Sequence, residues 1–76
     1  MIHNATANQV RTFASHAAAT TFFSAELPNG LTLEAAVSVN GATISWRRGK
    51  DFAIHSRIPH TEESIYQNMV ELLQPI

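Results

Sequence analysis

Seventy-six residues with a net charge of −1 and no cysteine make a single domain, residues 1–76, without disulfide staples or thiolate metal sites. A chain this short buries only about 60–65% of its unfolded surface, so a monomer is marginal unless something supplements its core. Charged residues are 14% of the chain and hydrophobic ones 45%, which leaves much neutral surface for self-association or for holding a partner and exerts no overall pull on nucleic acid.

Residues 1 to 5 read as a frayed end. Thr6-Ala7-Asn8-Gln9 matches a capping box, with the threonine hydroxyl serving the amide three residues on and the glutamine reaching back. Val10, Phe13, Ala14, Ala17 and Ala18 follow at helical spacing, which predicts a helix from Ala7 to Ala19 with an alanine-rich face suited to close packing on a sheet. From Thr20 to Leu27 the chain switches to β-branched and aromatic residues, with Phe23, Ala25 and Leu27 on one side and Phe22, Ser24 and Glu26 on the other. Pro28-Asn29-Gly30 fits a three-residue hairpin loop with Gly30 left-handed, pairing Leu27 with Leu31, Ala25 with Leu33 and Phe23 with Ala35.

The stretch from Leu31 to Arg47 is the most regular. Leu31, Leu33, Ala35, Val37 and Val39 alternate with Thr32, Glu34, Ala36 and Ser38, and Ala42, Ile44 and Trp46 alternate with Thr43, Ser45 and Arg47. Between them Asn40-Gly41 reads as the centre of a type I′ turn. That turn sets Val39 opposite Ala42, Val37 opposite Ile44, Ala35 opposite Trp46 and Glu34 opposite Arg47, with small Ala35 leaving room for the indole. After Arg48-Gly49-Lys50-Asp51 a fourth strand alternates Phe52, Ile54 and Ile58 with Ala53, His55 and Arg57. Gly49 is not placed for an obvious primed turn, so that register stays open. Pro59 ends the strand, Thr61 caps a second helix with Glu62 and Glu63 at its positive end, and Gln74-Pro75-Ile76 stops it. Ile65, Met69, Leu72 and Leu73 form its apolar stripe. The expected fold is α+β: a helix, a four-stranded antiparallel meander and a second helix, with both helices on one face of the sheet.

Chemistry is sparse. His3, His16, His55 and His60 lack the spacing of a metal site, and no serine lies in a Gly-x-Ser-x-Gly elbow. Glu26 and Glu34 lie diagonally on the outer side of the first hairpin, but acid–base work needs a concave, partly dry site that a small sheet rarely offers. No enzyme activity, cofactor or metal is therefore expected. Arg47, Arg48, Lys50 and Arg57 are four of the five Lys and Arg residues and make a basic hairpin able to touch phosphates. The α-β-β-β-α portion is loosely similar in element order to a double-stranded-RNA-binding domain. That family opens its second helix with a lysine-rich Gly-x-Gly-x-Ser-Lys-Lys segment, where this chain has Ile58-Pro59-His60-Thr61-Glu62-Glu63. On the outer sheet face, Phe22, Ala36, Ser45 and Ala53 fall in one row, rimmed by Glu34, Arg47 and Arg57. Phenylalanine among small neutral residues there is expected to meet a protein partner or a second copy.

The run Asn29-Gly30-Leu31-Thr32-Leu33, after a capped helix and a threonine-rich strand, resembles a segment of small phage and prophage proteins of unknown function, over the first half of the chain. That family continues with a Gly-x-Ser-Ala-Cys-Val type segment, where this chain has Glu34-Ala35-Ala36-Val37. The resemblance implies an accessory protein that binds a host or phage factor, and it supplies no site residues.

The expected function is thus a small non-enzymatic interaction protein, homodimeric and possessing a protein partner, with a nucleic-acid-binding module as the alternative and a small enzyme or ligand-sequestering protein behind both. The N-terminus has no basic-plus-apolar leader and no apolar run is long enough to cross a bilayer, so a cytoplasmic location without membrane contact is expected.

Overall fold

A computed structural model describes residues 5–74. The sequence readings that rest on residues 1–4, His3 included, and on Pro75 and Ile76 lie outside the described residues. Ala5, expected to fray, packs against the core.

Helix α1 spans Ala7–Ala18 and opens with the expected capping box. The Gln9 amide donates to Thr6 Oγ1 at 3.1 Å, and the Thr6 amide donates to Gln9 Oε1 at 2.9 Å, so two orphan donors of the first turn are satisfied reciprocally. Four strands follow, β1 (Phe22–Glu26), β2 (Thr32–Ser38), β3 (Gly41–Arg48) and β4 (Asp51–Ile58), and α2 (Glu62–Leu72) closes the chain. The sheet order is β1-β2-β3-β4, every neighbour antiparallel, so each strand meets the next through a short turn and β1 and β4 are the edges. Val10, Phe13, Ala14 and Ala17 of α1 and Ile65, Met69 and Leu73 on the α2 side share one core with Leu33, Ala35, Ala42, Ile44 and Ile58 of the sheet. Both helices therefore cover the same face, and no helix is long and apolar enough to cross a membrane, among the described residues.

The first hairpin has the register its loop dictates. Phe23 pairs with Ala35 and Ala25 with Leu33, and the Leu27 amide donates to the Leu31 carbonyl at 2.7 Å across Pro28-Asn29-Gly30. Gly30 is left-handed as expected (φ 78), and Asn29 joins it (φ 79).

The second hairpin slips by two residues from the expected register. Ser38 pairs with Gly41, Val37 with Ala42, Ala35 with Ile44 and Leu33 with Trp46. Val39 and Asn40 are the central pair, and neither is among the positive-φ residues; Gly41 carries the positive φ (119) that closes the turn. This is the order of a type I turn with glycine last, and Ser38 supports it, its hydroxyl oxygen accepting from the Asn40 amide at 3.4 Å. Glu34 consequently faces Ser45, not Arg47, and Val39 is a fully exposed turn residue rather than a core one.

The third hairpin overturns the expected facing of β4. Arg48 pairs with Asp51 around a two-residue turn whose first central residue is Gly49 (φ 60), the position a type II′ turn reserves for glycine. Ala53 then pairs with Trp46 and His55 with Ile44, so these two lie on the helix side, while Phe52, opposite Arg47, and Ile54, opposite Ser45, face outwards. A bulge sets Ser56 and Arg57 against Thr43 alone, with Arg57 left-handed (φ 66), and this extra residue returns Ile58 to the core.

Two polar tips fasten the helices at their C-terminal ends. The Trp46 indole N–H donates to the Leu72 carbonyl at 2.9 Å, and His60 Nε2 meets the Ala17 carbonyl at 2.9 Å. The indole has its space from Ala53 beside it, not from Ala35. Trp46→Phe is expected to lower stability by about 1 kcal/mol, the value of one part-buried hydrogen bond to an otherwise orphan carbonyl. Urea unfolding followed by circular dichroism checks this, and an unchanged midpoint would mean that the indole does not pin α2.

Candidate functional site

Strand pairing arranges the outer face of the sheet in three rows. Glu26, Thr32, Arg47 and Phe52 form the first, Ser24, Glu34, Ser45 and Ile54 the second, and Phe22, Ala36 and Thr43 the third. Thr43 reaches on to Ser56, whose hydroxyl is 3.3 Å from Thr43 Oγ1. Three large apolar side chains lie bare on this face: Phe22 is 59% exposed, Phe52 69% and Ile54 61%. Phe52 and Ile54 flank a shallow depression of about 280 Å³, with Thr32, Glu34, Ser45 and Arg47 around it.

Of the residues expected here, Phe22, Ala36, Ser45 and Arg47 are on the outer face, but not in one row. Ala36 continues to Thr43, and Ser45 lies one row away beside Glu34. Ala53 is absent from this face because β4 presents its other side. The largest exposed apolar side chains are Phe52 and Ile54, on the edge strand β4, whereas alternation alone places them in the core. The signal that would have found them is Gly49 at the first central position of a two-residue turn, which sets the parity of the whole strand.

The basic residues do not form one patch. Arg47 points outwards, Arg48 lies on the helix side of the same strand, and Lys50 is in the turn. Arg57 sits in the bulge at the opposite end of β4, about 20 Å of strand away. On the helix side, Arg11 bridges the two helices: its guanidinium donates to Glu63 at 3.1 Å and lies 3.7 Å from the centroid of the Tyr66 ring. His16 stacks on Phe23 with ring centroids 5.2 Å apart, while His55 is exposed on the edge strand and His60 holds Ala17. Among the described residues, no three His, Asp or Glu side chains gather as a metal ion would require.

A second concavity lies between α1 and the edge strand β1. It holds about 350 Å³, with Gln9, Thr12 and His16 along one wall and Phe23, Ala25 and Leu27 along the floor.

No protein-family model, curated protein or solved structure matches this chain.

Proposed function

We propose that this protein is a small non-enzymatic interaction domain, a cytoplasmic accessory protein of the phage type, that binds protein through the outer face of its sheet and pairs there with a second copy of itself. The observation behind this reading is the exposure of Phe22, Phe52 and Ile54 on a face opposite the core. Large apolar side chains exposed on one face of a small sheet lower their free energy when another surface covers them.

Charge favours a second copy as that surface. The outer face carries Glu26 and Glu34 on its β1–β2 half and Arg47 on its β3–β4 half. Two such faces stacked about a two-fold axis along the strands set each acidic half on the other's basic half. Four strands about 4.8 Å apart and six residues of about 3.3 Å each give a face of roughly 400 Å² in projection, so the association is a weak one.

Sedimentation velocity over a concentration series tests the reading. Wild type is expected to shift from monomer to dimer, and Phe52→Glu, which buries an unpaired charge in that interface, is expected to stay monomeric with unchanged circular dichroism. A wild type that remains monomeric throughout would remove the self-association half of the reading.

One observation favours a second reading. Arg47 lies opposite Phe52 on the outer face, the cation-and-ring pairing that stacks single-stranded nucleic acid. Retention on immobilised nucleic acid that falls steeply with salt would support it, whereas an apolar sheet contact responds little to salt.

A further inference from the structure

We propose a second binding site, the open edge of β1 together with the groove beside α1, which takes an extended peptide whose apolar residues alternate with basic ones. The peptide adds to the sheet as a fifth, antiparallel strand.

The backbone supplies half of the site. The Thr21 carbonyl accepts from the Val37 amide at 2.9 Å, and the Leu27 amide donates to the Leu31 carbonyl at 2.7 Å. The odd-numbered residues of this segment thus bond β2. By the alternation of an antiparallel ladder, Phe22, Ser24 and Glu26 turn their N–H and C=O groups away from the sheet, along an edge with no strand beside it among the described residues. Such an edge is a template for another strand unless charge, proline or a bulge blunts it. The opposite edge has those guards, with the Arg57 bulge and Pro59 at its end. The first strand has Glu26 at its end and Pro28 beyond it, but no bulge, and Phe22 and Ser24 leave the rest of its edge unguarded.

The groove supplies the other half, and it is in register with the edge. Its floor is Phe23, Ala25 and Leu27, the residues whose side chains point to the helix side. A strand paired with β1 sends every second side chain to that same side, between β1 and the wall formed by Thr12 and His16. Main-chain bonds and side-chain pockets therefore fall where one extended segment uses both.

Charge identifies the occupant. The remaining side chains of the added strand lie on the outer face next to Glu26 and Glu34, neither of which has an ion-pair partner among the described residues. A basic residue opposite Glu26 meets it directly, and one opposite Ser24 reaches across the small serine to Glu34. A second copy is the poorer occupant, because pairing β1 with itself brings two acidic corners onto one face. Its five residues, about 17 Å of strand, also fall short of what a stable dimer buries.

The test uses the whole chain and a fluorescein-labelled peptide, acetyl-Lys-Leu-Lys-Leu-Lys-amide, read by fluorescence anisotropy. Saturable binding is expected below about 1 mM. Methylating the lysine amide nitrogens removes the bonds to Phe22, Ser24 and Glu26 and is expected to weaken binding at least about tenfold, while methylating the leucine nitrogens, which point to solvent, leaves it unchanged. Ser24→Pro removes an outward N–H without touching the β2 ladder, and Glu26→Lys reverses the charge; each is expected to weaken binding by a similar factor. At protein concentrations low enough to keep the chain monomeric, Phe52→Glu, three strands away on the opposite edge of the sheet, leaves it unchanged. Should Ser24→Pro fail to fold, Glu26→Lys and the two methylated peptides still decide. Absence of saturation, equal affinity for both methylated peptides, or loss of binding in Phe52→Glu overturns the proposal. So does a dimer that Ser24→Pro dissociates in a protein that ignores the peptide, since the edge then pairs with itself.

Discussion

Gly41→Ala is expected to cost about 3 kcal/mol, a large share of the roughly 4–11 kcal/mol available to a domain of this length. Two penalties combine at this position. Gly41 has φ 119, which side-chain-bearing residues rarely adopt. A Cβ there would also stand 2.5 Å from the Ile58 carbonyl oxygen and 3.3 Å from its carbon, both backbone atoms of the strand that closes the bulge. Relief requires either the turn to open or β4 to move, and β4 carries Ile58 in the core. Urea unfolding with Trp46 fluorescence measures the loss. A midpoint within experimental error of wild type would mean that the turn and the bulge do not press together.

The position of that glycine explains why some registers were legible in the sequence and others were not. Pro28-Asn29-Gly30 allows one loop length, and the pairing of Phe23 with Ala35 follows from it. Asn40-Gly41 suits either the two central places of a I′ turn or the last two places of a type I turn, and the Ser38 hydroxyl favours the second. The resulting slip of two residues preserves every face, because strand side chains repeat every two, so Leu33, Ala35, Ala42 and Ile44 keep the core side with different partners, while Val37 and Val39, expected there too, are exposed beside the turn. Trp46 illustrates the cost of that error: its neighbours are Leu33 and Ala53, and its hydrogen bond runs to a helix end that no pattern in the strand announces.

The candidate sites were less legible than the fold. Phe22 was correctly placed outwards, since the first hairpin fixes its parity. Phe52 and Ile54 were missed because their alternation with Ala53 and His55 looks the same whichever side faces the helices. Arg57 at positive φ is a conformation that residue type does not forecast. The peptide groove depends on how α1 lies along β1, which comes from packing rather than from any local motif.

The facing of β4 yields the sharpest contrast between two chemically identical substitutions. Ile58→Ala is expected to cost about 2–5 kcal/mol, because Ile58 is 3% exposed and its removal leaves a cavity beneath the helices. Ile54→Ala, in the same strand and with the same change in volume, is expected to stay within about 0.5 kcal/mol of wild type, since Ile54 is open to solvent in the single chain. Without the bulge, two residues four apart in one strand share a face and lose comparable stability. With it, the Ser56-Arg57 pair set against Thr43 reverses the parity between them. Urea unfolding of both variants at a concentration low enough to keep the chain monomeric isolates this effect from association. Repeating it at high concentration separates the two roles further. Ile54→Ala then loses any stability that dimer formation through the outer face gives the wild type, and Ile58→Ala keeps the penalty it already had. Equal losses at low concentration would restore the unbroken alternation and place Phe52 and Ile54 back under the helices, removing the apolar outer face with them.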